Sequence, residues 1–330
     1  MADLSTRFFG LTLKNPVIAA SSSMTGNLDQ VLKIAQAGAG AVVLKSLFEE
    51  EIYFQLQEEM KTRQSLAADP EYLDYFDYVI KEENLNKYIN LIRDARSGLD
   101  IPVIASISCI SSNEWTLFAR KLQDAGADAL ELNLFIIPSD VERNNEANEH
   151  FYFDTVRKVL EVVSIPVTVK ISHYFSNLAG MIRELSRTGI AGITLFNRFY
   201  TPDIDVDKQE LVTADIFSSP DDYLLPLRWT GITSPVVSCP LAATTGIHSA
   251  ETVVKFLLAG ANAVQLASVL YLEGPSVIKK INRELNDWMD AKSYRSIDEF
   301  RGKLSIRAQH ATVYERVQFM TYFAGKEYNR

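Results

Sequence analysis

The chain predicts an α/β protein closed as a (β/α)8 TIM barrel, and three features of its 330 residues carry that expectation. Four apolar segments open on or next to proline: NPVIAAS from Asn15, IPVIAS from Ile101, IPVTVK from Ile165 and SPVVSC from Ser234. Proline is tolerated at the first residue of a strand, and the β-branched run behind it suits a strand buried on both faces. Four other segments, AGAGAVVLKS, AGADALELNL, TGIAGITLFN and AGANAVQLAS, each set a glycine (Gly38, Gly126, Gly189, Gly260) at a helix end and pass straight into another apolar strand. The stretches ahead of those glycines, such as WTLFARKLQDAG and AETVVKFLLAG, have the spacing of amphipathic helices.

Strand and helix therefore alternate eight times, in four related pairs. An open doubly wound sheet is the competing architecture, and it is disfavoured because no GxGxxG follows the first strand. In order, the strands read NPVIAAS, AVVLKS, IPVIAS, ALELNL, IPVTVK, GITLFN, SPVVSC and AVQLAS. Inserted segments interrupt the repeat at residues 48–82, after strand two, and at 198–233, after strand six. Both lie on the face where barrel enzymes carry their chemistry. Residues 1–292 form the barrel, and 293–330 are expected to be a polar C-terminal extension, partly helical.

Composition narrows the function. With 47% hydrophobic and 23% charged residues the chain has the make-up of a soluble globular protein. A net charge of −9 argues against nucleic acid or an anionic membrane as a partner. Cys109 and Cys239 form no CxxC or zinc spacing, which fits reduced thiols in a cytoplasmic protein. The opening MADLSTRFFGLTLKNP lacks the apolar core of a signal peptide. His150, His173, His248 and His310 are too scattered to suggest a metal site, and a homodimer is the expected assembly of a soluble barrel.

Polar groups gather at the strand ends. Lys45 and Lys170 are each the first cation after an apolar strand, and a buried lysine requires a partner. Asn133 and Asn197 close strands four and six with amides that both donate and accept hydrogen bonds. Between strand seven and its helix, Thr244, Thr245 and Gly246 offer hydroxyls and a close backbone ahead of a helix start, an arrangement that attracts phosphate. Ala267 and Ser268 end strand eight, and loops after strands seven and eight are the usual phosphate cradle of this architecture. His173, just past Lys170, is the histidine that could face the mouth.

These residues resemble the dihydroorotate dehydrogenase family, flavoprotein barrels that bind FMN, over most of the chain, from LTLKNPVIAASS to SIDEFRGKL. The resemblance implies that Ala20, Ser21 and Ser22 pack against the flavin, with Ser46 beside the isoalloxazine and Lys45 near flavin and substrate. It implies flavin and substrate contacts for Asn133, the flavin's pyrimidine edge for Lys170, and the strand-six amide for Asn197. TTGI resembles the family's phosphate turn, with Thr245 where a glycine is usual, and Ala267-Ser268 replaces a Gly-Thr pair. The implied reaction takes dihydroorotate, or a related dihydropyrimidine, to orotate. The alternatives are an ene-reductase on another substrate and a flavin-binding barrel without dehydrogenase turnover.

The substrate side departs from the family. Where the strand-four loop usually carries a Cys or Ser base, this chain reads Phe135-Ile136-Ile137-Pro138-Ser139. The family's substrate loop after strand two is replaced in the neighbourhood of QSLAADPEYLDY, and its glycine-rich segment after strand six by SSPDDYLLPLRW. A thiol or hydroxyl base contributes about two to four powers of ten in rate, so a substitute is expected. Ser139, His173, Cys109 and Cys239 are the candidates to replace it, Ser139 and His173 standing beside Lys45 and Asn133 as the expected catalytic groups.

Overall fold

Proline and glycine punctuation decides where the strands begin. The computed structural model describes residues 2–62, 70–109, 112–199 and 201–307. Its central sheet contains β1 (Val17–Ala19), β2 (Ala41–Val43), β3 (Val103–Ser108), β4 (Ala129–Asn133), β5 (Val167–Ile171), β6 (Gly192–Leu195), β7 (Leu241–Thr244) and β8 (Ala263–Leu266). Each pairs in parallel with the next, and β8 pairs with β1 through Val264 and Val17, which closes the ring. Beyond a short break, β2 resumes as Leu47–Phe48 beside Ile107 and Ser108.

The helices are α1 (Leu28–Gln36), α2 (Glu49–Thr62), α3 (Pro70–Gly98), α4 (Ser112–Asp124), α5 (Asn145–Val162), α6 (Leu178–Leu185), α7 (Leu224–Thr233), α8 (Ala250–Ala259), α9 (Ser268–Glu273) and α10 (Val277–Ala291). Side chains start several of them cleanly: Asn27, Asn144, Asn177 and Ser249 each accept a backbone N–H of the first turn. The repeat glycines Gly38, Gly126, Gly189 and Gly260 all have positive φ, between 92° and 111°, so each turns the chain from a helix toward the next strand in a backbone shape that side chains disfavour.

Alternation along the strands fills the barrel in layers. At the foot, Ile18, Ala41, Ile104, Ala129, Ala242 and Ala263 pack around Phe8 and Phe9, which enter from a hairpin of Thr6–Phe8 with Leu11–Leu13. A Cβ at Gly192 would stand 2.7 Å from the Phe8 ring, so this position is small because the plug is large. Two residues further along the strands the interior turns polar, with Ser106, Glu131, Thr168, Thr194 and Gln265 all buried. Two further again stand Lys45, Asn133 and Lys170, at the end where the chains leave the sheet, while Thr244 ends its shorter strand level with Gln265.

Two assignments need correction. SPVVSC is not the seventh strand: residues 234–239 form a turn after α7, and the strand is the next segment, LAAT, with Pro240 ahead of it. The β-branched pair in SPVVSC outweighs two alanines on propensity, but small residues fit the crowded interior beside Ala263. Likewise, 198–233 is not all insertion. Leu224–Thr233 is the barrel's own sixth helix, apolar on nearly every side and therefore without a clear periodic signature. The inserted part is a hairpin of Pro202–Asp205 with Glu210–Thr213 and the loop behind it.

The insertion after β2 is helical, α2 and then α3, and α3 runs on as the repeat's own helix to Gly98. The segment at 63–69, which holds QSLAAD, lies outside the described residues. From 293 to 307 the chain folds back on the barrel: Phe300 packs on Trp288 and Tyr294, and Gly302 N–H donates to the Leu257 carbonyl at 2.9 Å. The helical reading of the extension beyond 307, His310 included, falls outside the described residues.

Candidate active site

At the C-terminal ends of the strands lies a cavity of about 560 Å³. One wall comes from β1 and β2 through Ser21, Ser22, Lys45 and Ser46, and the floor from Asn133 and Lys170. The opposite side is built by Phe196, Asn197 and Arg198 after β6, and by Thr244, Thr245, Gly246, Ala267 and Ser268 after β7 and β8. Residues singled out on separate strands thus meet around one space. Ala20 stands just behind the wall, buried, its N–H donating to the Leu266 carbonyl at 2.8 Å.

The floor is a hydrogen-bonded stack. The Asn197 Nδ2 donates to Asn133 Oδ1 at 2.8 Å, which orients both amides in the cavity lining. Beneath them Glu131 is fully buried, and its Oε2 accepts from Thr194 Oγ1 at 3.0 Å and from Gln265 Nε2. Burial pushes the Lys170 amine below its ordinary value, and the Glu131 carboxylate opposes that shift. Glu131 is therefore the counter-charge that favours the ammonium. On the other wall, the Ser46 hydroxyl sits 3.0 Å from that of Ser21 and 2.7 Å from that of Ser106.

The β7–β8 corner is shaped for close approach. Gly246 has φ 70°, and a Cβ there would stand 2.2 Å from the Tyr223 nitrogen, so only glycine fits the turn. Thr245, at φ 80°, takes a left-handed backbone unusual for a β-branched residue. A strap crosses this corner. Arg198 donates to the carbonyls of Ile216 at 2.6 Å and Asp215 at 3.0 Å, holding the 215–222 loop over the cavity. Ser218 N–H donates to Ser268 Oγ at 2.9 Å, and Ser218 Oγ lies 3.2 Å from His248 Nε2. His248 is thus half-buried and engaged.

The strand-four loop turns away from the cavity. Ile136 packs against the core and its N–H donates to the Tyr152 hydroxyl at 3.0 Å. Phe135 joins an aromatic rim with Phe199, 5.1 Å between ring centroids, and Tyr174 extends that rim at 5.4 Å from Phe199. His173 stacks 4.4 Å from Tyr174 and does not line the cavity; burial lowers its pKa, so the ring is neutral near pH 7. Ser139 is exposed and also outside the lining. Neither cysteine lines it: burial pushes the Cys239 thiol up to about 12 and raises that of Cys109 as well.

Sequence reasoning passed over several lining groups. Gln265 interrupts an otherwise apolar strand in the same phase as Glu131, and that shared phase was the available signal. Phe217 and Tyr271, with centroids 5.2 Å apart, form an aromatic lip. Glu51 belongs to a run of three glutamates that reads as the solvated start of a helix; it is exposed, yet its carboxylate binds Lys45 Nζ at 2.8 and 3.0 Å at the edge of the mouth.

Fold and site define a class: a closed barrel whose mouth gathers paired amides, three cations and a glycine turn around one cavity. A sequence model of the dihydroorotate dehydrogenase family matches residues 72–289, more than half of the chain, and the chain belongs to that family. It is 28% identical over 314 residues to the catalytic subunit of dihydroorotate dehydrogenase B (NAD+) from Thermoplasma acidophilum, covering 92% of this chain and 99% of that protein. The corresponding protein of Pyrococcus abyssi is 26% identical over 311 residues, covering 91% and 98%. That of Bacillus mycoides is 25% identical over 310 residues, covering 92% and 97%. Family members are flavin-dependent oxidoreductases acting on CH–CH groups, and the family reaction oxidises dihydroorotate to orotate. Among the described residues no helix is long and apolar enough to cross a membrane.

Proposed function

We propose that the cavity holds FMN and that the chain uses it to oxidise dihydroorotate to orotate. The observation that carries this reading is the meeting, in one cavity, of Lys170, the Asn133–Asn197 pair and the Gly246 turn. Unpartnered atoms support a bound heterocycle: among the described residues Ser22 Oγ and Gln265 Oε1 are buried without a hydrogen-bond partner, and both residues line the cavity. Buried polar groups left unpaired cost about 1–3 kcal/mol each, so a ligand that satisfies them gains affinity.

Bound there, the flavin supplies the hydride acceptor. Lys170 would face its pyrimidine edge, where a cation favours the anionic reduced state. Ser21, Ser22 and Ser46 would flank the ring, with the Ala20 backbone behind them. Thr244, Thr245, Gly246, Ala267 and Ser268 would hold the phosphate. Asn133 and Asn197 would read the donors and acceptors of the substrate pyrimidine, and Lys45 would meet its carboxylate. Family membership favours this reaction over ene-reduction and over a barrel without turnover.

Finer features belong to the same proposal. The chain works in the cytoplasm as a homodimer, with residues 1–292 as the FMN-binding barrel and 293–330 as an appended segment. Relatives named as catalytic subunits of an NAD+-linked enzyme support an electron acceptor carried by a second polypeptide. The test is optical. The purified protein is expected to show an oxidised flavin spectrum that dihydroorotate bleaches under anaerobic conditions; a protein that cannot be loaded with FMN, or a flavin left unbleached, overturns the proposal.

A further inference from the structure

Oxidising a CH–CH unit to C=C removes a proton as well as a hydride, and the strand-four loop supplies no group to take that proton. We propose that Glu51 is the proton acceptor, held in place by Lys45; this rests on the reaction proposed above. The cavity wall itself points to it. Among the described residues lining the cavity, Glu51 contributes the carboxylate, whereas Lys45, Lys170 and Arg198 are cationic donors. The hydroxyls of Ser21 and Ser46 are committed to each other and to Ser106.

Position is set from two sides. Lys45 follows the end of β2, its N–H donating to the Thr25 carbonyl at 3.2 Å, and its ammonium grips both Glu51 oxygens, at 3.0 and 2.8 Å. Glu51 sits in the first turn of α2, which starts directly after the resumed strand at Phe48. The pair spans the boundary between site and solvent, with the Lys45 side chain 38% and the Glu51 side chain 59% exposed. A base there can receive a proton from the cavity side and release it to water, whereas Lys170 lies buried on the floor.

The step balances. The substrate's C5–H bond breaks with its proton passing to a Glu51 oxygen, and that bond's electrons form the C5=C6 double bond. The C6 hydrogen leaves as hydride, with two electrons, to the flavin the family employs. Glu51 then returns its proton to solvent, and Lys45, drawn toward the substrate carboxylate, shares its charge between the two anions.

The test is Glu51→Gln, made in the full chain loaded with FMN. Bleaching by saturating dihydroorotate should slow about 10²- to 10⁴-fold, and Glu51→Asp should recover part of the rate. Melting temperature, the oxidised flavin spectrum and orotate affinity should be retained, with affinity equal or tighter once a negative charge is gone. If the unaltered protein binds flavin but dihydroorotate fails to bleach it, the proposed reaction fails and this role falls with it. Bleaching in both proteins within threefold overturns the role of Glu51 alone. So does a loss confined to KM, or a variant faster than the parent, which would mark Glu51 as an obstacle to anionic substrate.

Discussion

The two ends of the barrel's interior use the same strands and the same alternation to opposite effect. At the foot, Phe8 and Phe9 meet alanines and Gly192 in a cluster without a polar side chain. At the mouth, the equivalent positions carry Lys45, Asn133 and Lys170. A ring of parallel strands needs only its foot to be filled, because dispersion and burial there do not depend on a ligand. The mouth keeps charges and unpaired acceptors out of bulk water, which is unfavourable until something binds. Between them the Glu131–Thr194–Gln265 layer serves both ends, closing the core below and bracing the floor above.

That division is sharpest where charge is buried. Lys170→Met alone should lower stability by about 1–3 kcal/mol, since it removes the buried cation that offsets the Glu131 charge and leaves that carboxylate to Thr194 and Gln265. Adding Glu131→Gln should restore most of that loss while flavin reduction stays about 10²- to 10³-fold slow, the usual cost of one missing electrostatic stabiliser. Thermal melts and anaerobic stopped-flow on both variants check the split; recovery of the rate together with the stability would erase the distinction between foot and mouth.

Phe8→Ala probes the other end. Removing the plug should cost about 3–5 kcal/mol in denaturant unfolding, with the flavin spectrum and bleaching rate of the folded protein unchanged. A smaller effect is expected for Gly192→Ala, about 1–3 kcal/mol, because the new methyl meets the Phe8 ring. If Gly192→Ala loses activity but no stability, the foot communicates with the chemistry and the comparison breaks.

The barrel was largely legible because its punctuation is chemical: proline where strands start, glycine where helices must reverse into a left-handed turn. Legibility failed where composition hides the period. LAAT has too little β-branching to read as a strand, and LLPLRWTGIT is apolar on too many sides to read as an amphipathic helix. In the site, residues at strand ends could be placed because a barrel fixes where strands end. Glu51, Arg198 and the aromatic rim could not, since loop and insertion geometry follows from long-range packing that spacing does not encode. The isoleucine at the strand-four turn was visible from the start; that it backs onto Tyr152 was not.

The strap from Arg198 to Ser268 also bears on time. A mononucleotide seated behind the 215–222 loop could exchange with the surroundings only as often as the contacts of Ser218 with Ser268 and His248 let go together. Residence would then be timed by the protein's own breathing at that corner, and a prosthetic group kept this way would survive dilution and dialysis as a permanent tenant of the chain.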